Sequence, residues 1–176
     1  MNEFKEKKFN IGELKGISQK NIEEHLKLYT GYVKHSNLVH QKIEELMVDS
    51  EKNAYALAEV QRRFGFEYNG MRNHEVFFDS LSDGASELNK DSELFKSMEY
   101  LWGSFDKWLA QFKALAMTRG VGWAMLYLDR KEHRLLHAWI DEQHLGQLQD
   151  CTLVLALDMW EHSYVADYQP SGKKQY

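Results

Sequence analysis

LVLALDMWEH, Leu153 to His162, is the stretch on which the fold turns. Five aliphatic residues, Leu153–Leu157, read as a strand buried on both faces. The strand ends in Asp158, and a carboxylate at the end of a buried strand needs a proton, a partner or a metal. His162 follows four residues later, about one helical turn, so the two side chains converge if the chain turns into a helix there. One carboxylate oxygen and one imidazole nitrogen are half of a first-row transition-metal site. The plainer reading is an aspartate N-cap followed by a surface histidine. These ten residues alone favour the plainer reading, so the other half of a site has to lie elsewhere.

Working outward, the preceding segments supply a small sheet. Gly122–Trp123 leads into a strand over Ala124–Leu128, Asp129–Arg134 is a charged hairpin turn, and Leu135–Ile140 is a second strand. Asp141–Gln149 is a polar crossover to the third strand, Leu153–Leu157. Before the sheet come two short helices, Glu93–Leu101 and Phe105–Met117, with Trp102–Gly103–Ser104 as the turn and Ser104 as a cap. Neither GxGxxG nor a Walker lysine accompanies Gly120 and Gly122, so they are not a nucleotide loop. The polar stretch Ser82–Ser92 is the linker.

Upstream of the linker the pattern is helical. Apolar positions from Ile22 to about Met47 recur at three and four, after Ser18 as N-cap. Asp49–Asn53 interrupts, and a second helix runs from Ala54 to about Leu81. Two long helices with a short break form an antiparallel hairpin. Met1–Gly16 reads as a polar leading segment. The expected fold class is therefore α+β: an N-terminal α-hairpin domain, residues 1–82, and a C-terminal domain, residues 83–176, of helices and a three-stranded antiparallel sheet.

Composition narrows the function. The chain has 176 residues, 43% hydrophobic and 13% aromatic, enough for a sizeable core. A net charge of −5 argues against a nucleic-acid partner. Cys151 is the only cysteine, which excludes a disulfide framework and a CxxC zinc site and points to a reducing compartment, with cytoplasmic localisation expected. No apolar run approaches a membrane span, and MNEFKEKKFN is not a signal peptide. Serine-histidine-aspartate catalysis lacks a nucleophile elbow.

His25 falls on the apolar stripe of the first long helix, and His74 on that of the second, between Met71 and Phe77–Phe78. A lone histidine on an apolar face is usually a core residue. One on each arm of a hairpin strengthens the metal reading. His35 and His40 have polar neighbours and read as surface residues. His25, His74, Asp158 and His162 are the one histidine/carboxylate set that buried elements could bring together, and three imidazoles with one carboxylate suit iron or manganese.

At this point the chain resembles the iron/manganese superoxide dismutase family over nearly its whole length. The signature is DMWEHSYVADY, with Asp158, Trp160, Glu161, His162 and Tyr164. Ile17–Ser18 to His25 and Tyr32–Val33, then Asn73–His74 before Phe77–Phe78, match in order. So do Gly103–Ser104–Phe105–Asp106, Phe112–Lys113 and Gly122–Trp123–Ala124. The resemblance implies one manganese or iron ion held by His25, His74, Asp158 and His162. That ion cycles between trivalent and divalent states while superoxide is disproportionated to dioxygen and hydrogen peroxide. It implies Tyr32 as the channel tyrosine, with Trp123 and Trp160 as walls. It also implies Glu161 as a bridge across a two-fold interface, hence a homodimer or a dimer of dimers.

The same resemblance implies a hydrogen-bond donor to metal-bound solvent. Gly70, four residues before His74, has no side chain to offer and leaves space for one. Gln143 on the crossover fills the role, with His144 beside it as the substitute. A donor from the crossover is typical of manganese enzymes, so manganese is favoured over iron. Tyr29 stands where the family carries a histidine one turn after the first ligand, and Val165 replaces its tyrosine partner. The chain ends at Tyr176, where members usually begin a last helix. The alternative within the family is a non-catalytic metal-binding or structural member. A metal-independent helical interaction module is the third reading.

Overall fold

The computed structural model describes residues 2–84 and 86–176. Met1, in the leading segment, and Ala85, in the linker, lie outside the described residues. Two long helices come first, α1 (Gln19–Met47) and α2 (Ala54–Ser80). The Ser18 hydroxyl caps α1 by accepting from the Asn21 amide, which satisfies one of the otherwise unpaired first-turn N–H groups. The helices pack side by side as the expected hairpin.

After the linker, Ser92 and Ser104 cap α3 (Glu93–Trp102) and α4 (Phe105–Ala116) in the same way. Gly103 ends α3 at φ +82°, the left-handed conformation that a residue with a Cβ adopts only at a cost. Three antiparallel strands follow: β1 (Gly122–Asp129), β2 (Arg134–Asp141) and β3 (Cys151–Asp158), in spatial order β2-β1-β3.

This order corrects the reading of the decisive stretch. The strand covered on both faces is the central one, β1, whose first six residues are all buried. β3 is an edge strand, largely half-buried along its length. Its aliphatic run reflects packing against α2 on one side and α4 residues on the other. Register explains how β3 still buries its terminal acid: Asp158 pairs with Trp123, which is fully buried. Gly122 permits the close strand approach, since a Cβ there would lie 2.1 Å from the Ile140 carbonyl oxygen.

One core joins the two halves. Tyr29, Val33, Met71, Phe77 and Phe78 from the hairpin pack with Trp123, Met125, Tyr127, Ile140 and Ala156 from the sheet. A second core lies between the opposite sheet face and α3–α4. The leading segment also differs from the expectation of a polar tail. Phe4, Phe9 and Ile11 pack on the shared core. Asn37 exchanges two hydrogen bonds with the Phe4 backbone, at 2.8 and 2.9 Å, and the Lys7 amide donates to the Tyr29 hydroxyl. His40, expected at the surface, is half-buried between Phe4 and Phe64.

Candidate metal centre

Four elements deliver four side chains to one point. His25 comes from α1, His74 from α2, Asp158 from the end of β3, and His162 from the short 3-10 turn Glu161–Ser163. One potential ligand atom from each lies within 4.8 Å of all the others. The turn after β3 is tighter than a full helix. Asp158 Oδ1 accepts from the Trp160 amide at 2.8 Å, and this local bond folds the chain back so that His162 faces the strand end. The plainer reading of Asp158 as a helix N-cap does not hold, since Trp160 is the N-cap of the turn and no side chain caps it. Instead Asp158 Oδ1 organises the turn, and Oδ2 faces the three imidazoles.

The distances define the site. Nε2 of His25, His74 and His162 stand 3.2, 3.6 and 3.0 Å from Asp158 Oδ2. His25, His74 and Asp158 are buried, and His162 is 23% exposed. His74 supplies the decisive detail. Its Nδ1 lies 2.5 Å from the Gly70 carbonyl, which can only accept, so Nδ1 carries the proton. Its Nε2 is then a bare lone pair, fully buried and without a hydrogen-bond partner. A lone pair aimed at a carboxylate oxygen is repulsive unless a cation sits between them. The donor set of three nitrogens and one oxygen fits iron or manganese.

The protonation states agree with that fit. Burial, reinforced by His25, pushes His74 down to about 3. Burial also lowers His25, against the opposing pull of Asp158. Burial alone would raise Asp158, but His162 and His25 override it and hold the carboxyl well below the usual carboxylate range. The neutral imidazoles of His25 and His74 and the ionised carboxylate of Asp158 are in the forms that bind metal.

The surroundings are aromatic and closed. The Trp123 ring lies 5.1 Å from that of His74, and Trp160 stacks on His162 at 5.8 Å. Trp160 Nε1 donates to the Glu142 carbonyl, which ties the wall to the crossover. Phe77 and Phe78 flank His25, each with ring centroids 5.0 Å away. Gln143 is fully buried. Its Oε1 accepts from Trp123 Nε1 at 2.9 Å, and its Nε2 donates to the Tyr32 hydroxyl at 3.0 Å. The Tyr32 ring packs 5.1 Å from His74.

The other expected residues fall as follows. The space at Gly70 is taken by Tyr32, whose ring atoms would lie 2.4 to 2.9 Å from an added Cβ, and not by the Gln143 side chain. Tyr29 is buried but turned away: its hydroxyl donates to Glu75, and its ring packs against Phe9 and Phe78. His144 packs on Phe66 at 5.8 Å, away from the four-residue cluster's own hydrogen bonds. Glu161 is exposed. Asn73, Tyr127 and Gln147 were not legible from sequence. They form a largely buried chain of hydrogen bonds behind Gln143, with Gln147 half-buried, and only the position of Asn73 beside His74 hinted at it.

An α-hairpin and a half of helices and sheet share a core, and the three histidines and one aspartate between them form a cluster that fits one mononuclear metal ion. The family profile described as iron/manganese superoxide dismutases, C-terminal domain, matches residues 90–176. The superoxide dismutase [Fe] of Cupriavidus metallidurans is 37% identical over 158 residues, covering 88% of this chain and 78% of the relative. The superoxide dismutase [Mn] of Mycobacterium kansasii is 32% identical over 146 residues, covering 82% of this chain and 88% of the relative. The superoxide dismutase [Fe] of Pyrobaculum aerophilum is 29% identical, covering 82% and 69%. The chain belongs to the iron/manganese superoxide dismutase family.

Proposed function

We propose that this protein disproportionates superoxide to dioxygen and hydrogen peroxide at one iron or manganese ion held by His25, His74, Asp158 and His162. The observation that carries the reading is the convergence of three imidazole nitrogens on Asp158 Oδ2, with His74 Nε2 buried and unpartnered. When bound, the ion supplies a one-electron couple, so that one superoxide is oxidised and the next reduced. The remaining chemistry belongs to the chain. Two protons must reach the second superoxide for each peroxide formed. Burial, aided by the charge of Asp158, holds the Tyr32 hydroxyl well above its ordinary value, so it keeps its proton at neutral pH. Gln143 Nε2 occupies the acceptor side of that hydroxyl, which orients its O–H hydrogen away from Gln143. Trp123, Trp160 and Phe77 exclude bulk water, which strengthens every charge interaction inside.

Manganese is the proposed working metal, because the carboxamide near the centre comes from the crossover, at Gln143, and α2 offers none at Gly70. Loading the protein separately with each metal and measuring turnover per bound ion tests this. Iron activity well above manganese activity would overturn the assignment. Full occupancy without turnover with either metal would favour the non-catalytic member of the family.

The two-part organisation, residues 1–82 and 83–176, is proposed because each part contributes two of the four ligands. A homodimer or dimer of dimers is also proposed, with exposed Glu161 accepting the free ring N–H of the partner's His162. That bond fixes the imidazole tautomer in the way outer carboxylates do at metal-bound histidines. Among the described residues no helix is long and apolar enough to cross a membrane. With a single cysteine, which is free, a reducing cytoplasmic setting is the proposed location.

A further inference from the structure

The crossover that carries Gln143 into the site is not relaxed at that point. Glu142, immediately before it, has φ +52°, in the left-handed region that residues with a Cβ seldom occupy. Such a backbone persists where surrounding contacts over-determine it. Here the Glu142 amide donates to the Val121 carbonyl at 3.0 Å, and the Glu142 carbonyl accepts from Trp160 Nε1 at 3.2 Å. The next carbonyl, that of Gln143, is held from the other side. Asn73 Nδ2 donates to it at 2.8 Å, and Gln147 Nε2 lies 3.4 Å from it and 3.2 Å from Asn73 Oδ1. The Tyr127 hydroxyl, rooted in the central strand, donates to Gln147 Oε1. Asn73, Gln143 and Tyr127 are at most 2% exposed and Gln147 is half-buried, so water cannot cheaply replace the Asn73–Gln143 bond at the centre of the chain.

We propose that Asn73 and Gln147 are positioning residues that hold the Gln143 backbone and thereby set where its carboxamide sits over the metal centre. Asn73 directly precedes His74 on α2, so one turn of helix fixes both a candidate ligand and the donor opposite it. Gln147 locks Asn73 in the rotamer that donates to Gln143, and Tyr127 fixes the orientation of the Gln147 amide. Neither Asn73 nor Gln147 belongs to the four-residue cluster. They act through Gln143, whose hydrogen bonds to Trp123 and Tyr32 complete a fixed frame. Outer hydrogen bonds of this kind tune a bound ion. The effect on the ion rests on the proposed metal site, whereas the effect on Gln143 does not.

The test is Gln147→Leu, which keeps the bulk and removes the bridge, read in two ways. In the metal-free protein, the Trp123 indole N–H resonance reports its bond to Gln143 Oε1 and is expected to move. In the manganese-loaded protein, metal content is expected to stay at the wild-type level. The ratio of reduced to oxidised ion at a fixed applied potential is expected to change about tenfold, which is 59 mV for a one-electron couple. In a Gln143→Ala background the same substitution should give no further change. Gln147→Glu, which keeps the acceptor for Tyr127 but loses the donor to Asn73, should reproduce the shift if the leucine variant does not fold. An unmoved Trp123 resonance overturns the positioning role. A potential that does not change, or that changes equally without the Gln143 side chain, overturns the tuning. A wild-type protein that binds no ion contradicts the metal reading instead, and the indole resonance then decides the positioning of Gln143 alone.

Discussion

His74 carries more of the account than any other single residue. The Gly70 carbonyl accepts from its Nδ1–H, and among the described residues none pairs with its Nε2 lone pair. His74→Ala leaves three donors, an open coordination position and a buried void. We expect metal content and turnover to fall together, while the helical content measured by circular dichroism is retained. Normal metal content in that variant would remove His74 from the site. Tyr32 separates binding from chemistry. Its ring fills the hollow above Gly70, and phenylalanine fills it equally, so Tyr32→Phe should bind metal as the wild type does. The variant loses the hydroxyl that accepts from Gln143, a bond of about 1 kcal/mol. Turnover or product inhibition should change at unchanged metal content. Should Tyr29→Phe do this and Tyr32→Phe not, the two tyrosines have been assigned the wrong way round. The hydrogen bonds of Tyr29 to Glu75 and Lys7 argue that they have not.

The site depends on two helices being able to approach, and Gly70 governs that approach. A Cβ there would sit 2.4 Å from Tyr32, so α1 and α2 must separate or Tyr32 must leave its place. We expect Gly70→Ala to cost about 1–3 kcal/mol, as over-packing of a close-fitting core does, and to lower the midpoint of thermal unfolding measurably. An unchanged midpoint would mean that α1 and α2 do not pack closely at Gly70. At this scale the elements were legible because their signals are local. Ser18 and Ser104 cap the helices they precede, as their positions predict, whereas the Ser92 cap lies inside what reads as linker. The apolar faces of α1 and α2 and the end of β3 mark His25, His74, Asp158 and His162 as residues that buried elements bring together. What escaped were facts set by tertiary register. Aliphatic content could not tell the central strand β1 from the edge strand β3, because the half-buried positions of β3 are as apolar as the buried ones of β1. The leading segment read as polar because its aromatic residues are spaced among lysines, and only the fold shows Phe4 and Phe9 against the core. Gln147 and Tyr127 carry no sequence mark of their pairing, since they come from different elements.

Across the whole molecule, the centre ties the halves together. His25 and His74 come from the hairpin, Asp158 and His162 from the α/β half, and the shared core lies around them. A bound ion stabilises only the folded arrangement, so stripping it should lower the unfolding midpoint of both halves together. Calorimetry of loaded and stripped protein reads this directly, and a shift confined to one transition would contradict it. Glu161 tests the proposed assembly. Its carboxylate faces solvent in the single chain, so Glu161→Ala should leave monomer stability nearly unchanged. It should weaken self-association and metal retention together, as read by sedimentation and metal analysis. A dimer with both properties unaltered would reject the bridge.

The most direct test of the central claim is the decay of superoxide, followed by stopped-flow absorbance, with protein of measured metal content. One ion per chain with decay first-order in loaded protein, abolished in His74→Ala, is the predicted result. Full occupancy of the site with decay no faster than in buffer would contradict it.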